Sequence, residues 1–364
     1  MANLSQLLCF IFVAFALLHV SSANEANVGI YQIKKGNFYV NLTNWGARIT
    51  SIVLPDKQGN LGDIVLGYDT LDEYKTDTSY FGAIVGRVAN RIKGAQFTLN
   101  DTTYNLVAND GKNTLHGGQK GFSDVVWQVK KHSPASHCPY VRFHYQSADG
   151  EQGFPGKVIV SVNYMITVEN QLSVTMKAKA LNKATPVNLA QHTYWNLGGH
   201  NSGDILSETL QIFASQYTPV DSELIPTGEI APVKGTPYDF GEPQTVGSRI
   251  DQLPNGYDIN YVVDAEGGPR TMKKAAILSD SKSGRVMELR TSAPGLQLYT
   301  ADKLKDIKGK NGAVYKPHAG LCLETQGFPD SLHHPDFPSQ IITPKKTYKH
   351  FILYTFKTTK PSTN

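Results

Sequence analysis

The chain has 364 residues, of which 40% are hydrophobic, and carries a formal net charge of +4 from 35 basic and 31 acidic side chains. This length accommodates one large domain or two of ordinary size, and the apolar content is sufficient for a sizeable core. The basic residues form no stripe of the kind that follows a phosphate backbone, so nucleic acid is not an expected partner.

The first 23 residues have the pattern of a secretory signal peptide. The apolar run LLCFIFVAFALL, from Leu7 to Leu18, is followed by the small residues SSA, which predicts cleavage after Ala23. An uncleaved membrane anchor is the alternative, but the run is short for a bilayer span and no later segment is long enough for one. We therefore expect a secreted protein that has no stable membrane span after cleavage.

Export gives meaning to two sequons and two cysteines. Asn41 and Asn100 each begin an Asn-X-Thr triplet and are predicted N-glycosylation sites.

Cys138 and Cys322 remain after removal of the signal peptide. Two cysteines are too few for a disulfide scaffold, so we expect two isolated thiols, with one pairing as the alternative.

Strand patterns dominate the rest of the chain. The β-rich segments KVIVSVNYMIT and LSVTMKAKAL are separated by VENQ, which predicts a hairpin. YVRFHYQS, RVMELRTS, GLQLYTA and YKHFILYTF have the same character, and one helical turn is expected within LDEYKTDTSYFG. With no break in composition, no repeat and no linker, residues 24–364 are predicted to form one all-β domain, a large sandwich of antiparallel sheets.

Several common site motifs do not occur in the sequence. It lacks a Gly-rich dinucleotide fingerprint, a phosphate-binding Gly-Lys-Ser/Thr loop, an HExxH pair, a CxxC pair and a GxSxG nucleophile elbow. We therefore expect no cofactor and no metal ion.

His192 lies in the segment PVNLAQHTY, which is predicted to be a strand with side chains alternating between two faces. Its face is shared with Asn188, Ala190 and Tyr194, while Val187 takes the other. Small, polar and aromatic residues on one face are typical of the wall of a polar cleft. A core histidine bonded to a backbone carbonyl is the alternative.

Glu324 lies in a similar pattern in HAGLCLETQGFPDS. It shares a strand face with Gly320 and Cys322, so a track of small residues again leads to one ionisable group. A carboxylate at the end of an apolar strand is costly unless it is paired or faces a solvent-filled site. The alternative is a carboxylate at the exit of the strand, bonded to a loop.

Together, His192 and Glu324 suggest one specific site. A histidine and a glutamate at the ends of two such tracks are able to face each other across a cleft. Their ordinary pKa values are about 6.5 and about 4.3. Near neutral pH the two groups can supply one acid and one base.

These motifs belong to a longer ordered set. The set consists of NWGARITSIVLPDKQG, DIVLGYDTLDEY, YFGAIVGRVANRI, TLHGGQKGFSDVVW, NLAQHTYWNLGG, GYDINYVV, TSAPGLQLYTAD, GLCLETQGFPDSLHHPDFPS and YKHFILYTF. The chain resembles the aldose 1-epimerases, also called galactose mutarotases, over almost all of its mature length. The resemblance implies a large antiparallel β-sandwich. It also implies a cofactor-free and metal-free enzyme that interconverts the α and β anomers of free aldohexoses such as galactose and glucose.

The resemblance also implies roles for individual residues. Glu324 matches the general base that removes the proton of the anomeric hydroxyl, and His192 matches the general acid that protonates the ring oxygen. Trp45 is expected to be a core residue, whereas Tyr194 is expected to stack on the apolar face of the sugar, beside His192. The positions that match sugar contacts are Asn90, Arg91, His116, Asp258 and Gln297.

Three other functions could use the same residues. A glycosidase would use Glu324 and Asp258 as its two carboxylates, which leaves His192 without a role. A sugar-phosphate epimerase needs a basic cluster, for which Arg91 and Arg87 are the candidates. A secreted member that has lost catalysis would be a sugar-binding or signalling module. Because His192 and Glu324 are both present, we predict an active mutarotase, and we expect a monomer.

Overall fold

The computed structural model of the protein describes residues 27–264 and 271–359. The predicted signal peptide, residues 1–23, lies outside the described residues. Within them the regular structure is almost entirely β-strand, paired in antiparallel sheets, which confirms the predicted all-β class. The helix α1 (Leu71–Lys75) lies in the segment predicted to hold a helical turn, and Thr70 and Glu73 form a capping box at its start.

The strands are short and follow one another closely along the chain. Those of the first half are β1 (Ile30–Lys35), β2 (Phe38–Thr43), β3 (Arg48–Pro55), β4 (Leu61–Asp63), β5 (Ala83–Val85), β6 (Arg91–Ile92), β7 (Gln96–Leu99), β8 (Thr102–Asn105), β9 (Thr114–Leu115), β10 (Gln128–Ser133), β11 (Tyr140–Ser147), β12 (Val158–Ile166), β13 (Gln171–Ala180), β14 (Thr185–Pro186) and β15 (Ala190–His192). Those of the second half are β16 (Tyr194–Trp195), β17 (Thr209–Ile212), β18 (Gln216–Thr218), β19 (Ala231–Pro232), β20 (Gln244–Thr245), β21 (Asp258–Val262), β22 (Lys273–Ser279), β23 (Arg285–Thr291), β24 (Gly295–Tyr299), β25 (Ile307–Lys308), β26 (Val314–Tyr315), β27 (Leu321–Gln326), β28 (Ile341–Ile342) and β29 (Tyr348–Thr358). Single 3-10 segments lie at Lys93–Ala95, Phe122–Asp124, Glu151–Gly153, Val246–Gln252 and Lys310–Gly312.

Three sheets carry the architecture. The largest has nine strands in the order β10-β11-β12-β13-β29-β23-β22-β17-β20. A six-stranded sheet has the order β16-β27-β24-β21-β18-β19, and a four-stranded sheet runs from β1 to β4. Residues from all three sheets pack into one large hydrophobic core, as expected of a sandwich.

The predicted hairpin is formed by β12 and β13. Its innermost rung joins Ile166 to Leu172, and Asn170 in the turn takes the left-handed conformation, with φ of 62°. Alternate residues of β12, such as Val160 and Val162, are fully buried. Period-2 alternation in the sequence thus corresponds to one buried face of the largest sheet.

The prediction of one continuous strand over residues 186–194 is wrong, because the segment forms three short pieces, β14, β15 and β16. The Gln191 side chain interrupts the strand. Its Nε2 donates to Gly82 O at 2.8 Å and its Oε1 accepts from Thr193 N at 2.9 Å, which replaces a ladder bond. The alternation of faces survives, since Leu189 enters the large core while His192 faces away from it.

Cys138 and Cys322 are both free thiols, as expected. Among the described residues, no helix has the length and hydropathy needed to cross a bilayer.

Candidate active site

His192 and Glu324 face each other because of the register between β16 and β27. Tyr194 pairs with Cys322 in this antiparallel pair, and two further steps along the same register bring His192 opposite Glu324. His192 Nε2 and Glu324 Oε1 are 3.7 Å apart, too far for a hydrogen bond but close enough for one bound molecule to contact both. The two residues predicted separately from their strand faces thus form one pair.

The pair lies at a cavity of about 350 Å³. His192 and Glu324 are only 4% and 3% exposed, so the cavity reaches into the interior of the protein. All of the predicted catalytic and sugar-contacting residues line it, namely Asn90, Arg91, His116, His192, Tyr194, Asp258, Gln297 and Glu324.

The six-stranded sheet supplies the floor of the cavity. Glu324 in β27 is the register partner of Gln297 in β24, and Asp258 begins the next strand, β21. Gln297 Nε2 donates to Asp258 Oδ1 at 2.6 Å. Three adjacent strands therefore present a carboxyl group, an amide and a second carboxylate side by side.

Two tight bends on the other side of the cavity supply Asn90 and His116. Both residues have the left-handed backbone conformation, with φ of 63° and 51°. The pairing of β6 with β9 holds the bends together, and His116 N donates to Asn90 O at 3.1 Å. The Asn90 N–H donates in return to His116 Nδ1 at 3.2 Å. Since Nδ1 is an acceptor, the proton of neutral His116 is on Nε2, which makes that nitrogen a donor.

Arg91 is held between two carboxylates. Its Nε donates to Asp110 Oδ2 at 2.8 Å, and its terminal nitrogen is 3.8 Å from Asp258 Oδ2. A guanidinium in this position is fixed in orientation, and its remaining N–H groups are suited to hydroxyl oxygens.

Burial determines the protonation of the pair. It raises the pKa of Glu324 well above its ordinary value, with the negative charge of Asp258 adding to the effect and Arg91 opposing it. Burial lowers the pKa of His192 to about 3, with a further contribution from the Arg48 guanidinium. At 3.7 Å, mutual attraction would shift both pKa values the other way, so desolvation outweighs pairing here.

His116, His192 and Glu324 also have the composition of a metal site. Their ligand atoms all lie within 4.8 Å of one another, and two histidines with a carboxylate are a set that zinc uses. The hydrogen bonding of His116 works against this use. Because Asn90 N–H donates to His116 Nδ1, the opposite nitrogen carries the proton, whereas a ligating nitrogen must offer a lone pair.

Sequence reasoning missed one prominent residue of the cavity wall. The Tyr80 ring is 4.8 Å from the His116 ring and 5.6 Å from the His192 ring. It lies at the start of YFGAIVGRVANRI, a segment singled out only for Asn90 and Arg91. Tyr80 has a left-handed φ of 60°, which is unusual for an aromatic residue. No pattern in the sequence predicts this backbone conformation, so the sequence did not point to Tyr80.

Two further residues lie where their chemistry is structural. Trp45 packs against a core cluster, as predicted, and its indole N–H donates to Tyr74 O at 3.1 Å. Arg87 points away from the cavity and donates to Pro155 O and Gly156 O at 2.8 Å. Arg87 and Arg91 therefore do not form a phosphate cluster.

Known proteins resemble this chain in both sequence and fold. The aldose 1-epimerase family model matches residues 29–355. Galactose mutarotase from Bos taurus is 40% identical over 328 residues, which cover 90% of this chain and 93% of that protein. Aldose 1-epimerase from Escherichia coli (strain K12) is 33% identical over 324 residues, covering 87% and 91%. The crystal structure of an aldose epimerase homologue from C. elegans matches with a TM-score of 0.85 at 30% identity, covering 92% of this chain and 100% of that one. The chain belongs to the aldose 1-epimerase family.

Proposed function

We propose that this protein is an aldose 1-epimerase, a mutarotase that interconverts the α and β anomers of free aldohexoses such as galactose and glucose. The observation that carries the proposal is the distance of 3.7 Å between His192 Nε2 and Glu324 Oε1 inside a buried polar cavity. An uncharged ring of hydroxyls is held by amide, imidazole, guanidinium and carboxylate groups like those of the lining.

In the proposed reaction, the Glu324 carboxylate takes the proton of the anomeric hydroxyl. The bond between C1 and the ring oxygen breaks as the aldehyde forms, and the ring oxygen takes a proton from the His192 imidazolium. Rotation about the C1–C2 bond exposes the other face of the carbonyl. Reclosure then runs with the roles exchanged, so Glu324 returns its proton to the carbonyl oxygen and His192 recovers its own from the attacking hydroxyl.

This scheme requires that the pair hold one proton throughout. Burial alone favours the uncharged distribution, with the proton on Glu324 and neutral His192. The ionised distribution needed for the first step has the same proton count. Hydrogen bonds from sugar hydroxyls and the charge of Arg91 support it when the cavity is filled.

Polarimetry tests the function directly. Mature protein is added to freshly dissolved α-D-galactose or α-D-glucose, and relaxation to the anomeric equilibrium is followed. Glu324→Gln and His192→Ala should each lower kcat roughly a hundredfold or more, because each removes half of an acid–base pair. The exposed residue Glu242 offers a matched control, since Glu242→Gln should leave the rate unchanged. Wild-type protein that binds these sugars without speeding their anomer exchange would contradict the proposal and favour a sugar-binding module.

We also propose that the protein is secreted and glycosylated at Asn100. The signal-peptide pattern of residues 1–23 supports export. Asn100 is exposed at the tip of the β7–β8 hairpin, whereas Asn41 is half-buried within β2 and its sequon partner Thr43 is fully buried. After expression in eukaryotic cells, Asn100→Gln should remove a glycan from the secreted protein. Recovery of all the protein inside the cells would contradict the proposal.

Light scattering on the same sample would test whether the protein is a monomer, as expected.

A further inference from the structure

The strand that carries His192 and the strand that carries Glu324 run side by side without a continuous backbone ladder. Their ladder pairs within the described residues end at Tyr194 and Cys322. Beyond that point His192 belongs to β15, which pairs with β5 on its other side. The spacing of the pair is therefore not fixed by hydrogen bonds between the two backbones.

Side chains bridge the gap instead. Asn188 is 1% exposed, and its Oδ1 accepts from Gly327 N at 2.8 Å while its Nδ2 is 3.3 Å from Gly327 O. The Asn188 amide thus takes the place of a pair of backbone hydrogen bonds between the strands. Asn188 lies four residues before His192, and Gly327 lies three residues after Glu324.

His350 makes the second bridge, from beneath the pair. It lies in β29 of the nine-stranded sheet and is 2% exposed. Its Nδ1 is 3.2 Å from Leu189 O, on the His192 side, and its Nε2 is 2.9 Å from Thr325 Oγ1, next to Glu324. Tyr348 adds to the bridge, since its hydroxyl accepts from Leu189 N at 3.1 Å.

The protonation of His350 suits both contacts. Burial lowers its pKa to about 4, so the ring is neutral at neutral pH, with one donor and one acceptor nitrogen. Nδ1–H donates to the carbonyl oxygen of Leu189, and Nε2 accepts from the Thr325 hydroxyl. A single rigid ring therefore sets the distance between the two strands.

We infer that His350 is a positioning residue, which holds His192 and Glu324 at the separation that anomer exchange requires without touching the sugar. The inference rests on the proposed function. Misplacement of reacting groups by about 1 Å is able to lower a rate by about a hundredfold. The effect should fall on kcat, because the other polar residues that line the sugar cavity, among them Asn90, Arg91 and Asp258, remain in place.

The test compares two variants. His350→Phe keeps a ring and removes the ring's hydrogen bonds to Leu189 and Thr325, together with its contacts to the Thr291 and Tyr348 hydroxyls. His350→Gln keeps a donor and an acceptor. We expect kcat to fall ten- to a hundredfold in His350→Phe, with KM within threefold of wild type, and to recover partly in His350→Gln. His200→Phe is the matched control, because His200 is also buried and bonds to the Tyr315 hydroxyl, away from both strands. It should lower thermal stability and leave kcat unchanged.

Two further measurements keep the inference testable if His350→Phe is inactive or does not fold. Crystal structures of wild type and His350→Phe should show the Nε2–Oε1 distance lengthened beyond 3.7 Å in the variant. Thr325→Val removes one hydrogen bond of the His350 ring with little change of volume. It takes the place of His350→Phe if that variant does not fold, and it too should lower kcat. An unchanged distance, or a kcat equal to wild type in the folded variants, would overturn the inference. An inactive wild type would count against the proposed function, while the distance would still decide on His350.

Discussion

At the scale of single residues, burial gives the site its acid–base character. Glu324 and His192 lie in the same cavity, and desolvation moves their pKa values in opposite directions, up for the carboxyl and down for the imidazole. Between these two pKa values the pair holds one proton, which is the number that the reaction needs. Activity should therefore persist at pH values where an ordinary histidine is protonated.

Asp258 offers a way to test this balance. Its negative charge raises the pKa of Glu324, so Asp258→Asn should lower that pKa. The alkaline limb of kcat/KM, where the pair loses its shared proton, should then move to lower pH by roughly one unit. The rate of anomer exchange, measured against pH with the spontaneous rate subtracted, checks the shift. The exposed Asp251→Asn should leave the limb in place, and the same limb in both variants would contradict the prediction.

At the scale of elements, the local sequence pattern was sufficient to predict where strands lie but not which strands pair with each other. The segment YVRFHYQS is strand β11 from end to end, because alternation of apolar and polar residues is a local property. The break at Gln191 depends on Gly82, which is distant in sequence. The contact between His192 and Glu324 likewise depends on a register that strand periodicity does not specify, so the resemblance to a family carried that part of the prediction.

Gly82 is the element-scale position where substitution should be most damaging. Its N–H donates to His192 O at 2.9 Å, its φ is +65°, and an added Cβ would lie 1.8 Å from Ile49 O. Gly82→Ala should therefore lower the free energy of unfolding by about 4 kcal/mol or more. Gly59 also has positive φ, but a Cβ there meets nothing within 4 Å, so Gly59→Ala should cost only about 1 kcal/mol. Urea denaturation of both variants checks the difference, and equal losses would show that backbone crowding is unimportant at Gly82.

At the scale of the whole molecule, the fold class followed from the sequence, while the order of strands did not. Frequent short strands with turn residues between them predict an antiparallel sandwich. The order within the nine-stranded sheet places β13 beside β29, and pairs such as Leu172 with Tyr354 join segments far apart in the chain. Burial on both faces of β27 is another whole-molecule property, since it requires the core on one side and the cavity on the other.

Global stability should depend on pH through Glu208, a buried carboxyl group whose Oε1 accepts from Leu197 N at 2.7 Å. Burial raises its pKa to about 8, with the charge of Asp280 contributing. When the pKa of a carboxyl group is higher in the folded state than in the unfolded state, its contribution to folding stability is fully present below the unfolded pKa of about 4.5. This contribution is lost as the pH rises towards the folded pKa of about 8. Glu208→Gln should remove this pH-dependent loss. Between pH 5 and pH 9 its free energy of unfolding should therefore rise by on the order of 3 kcal/mol relative to that of wild type.

Chemical denaturation across this pH range measures the effect. The exposed Glu242→Gln provides the control and should follow the wild-type curve. A Glu208→Gln variant whose stability falls with pH as steeply as that of wild type would assign the dependence to other groups.

The position of β29 has a consequence for biosynthesis. This strand lies between β13 and β23, so it joins the two halves of the nine-stranded sheet, and it is the last strand of the described chain to leave the ribosome. Until then, β13 and β23 each have one unpaired edge, and the apolar faces beneath them lack their central neighbour. Until β29 is made, the nascent polypeptide therefore carries an open sheet, and unpaired edges of this kind are the surfaces that chaperones shield from aggregation.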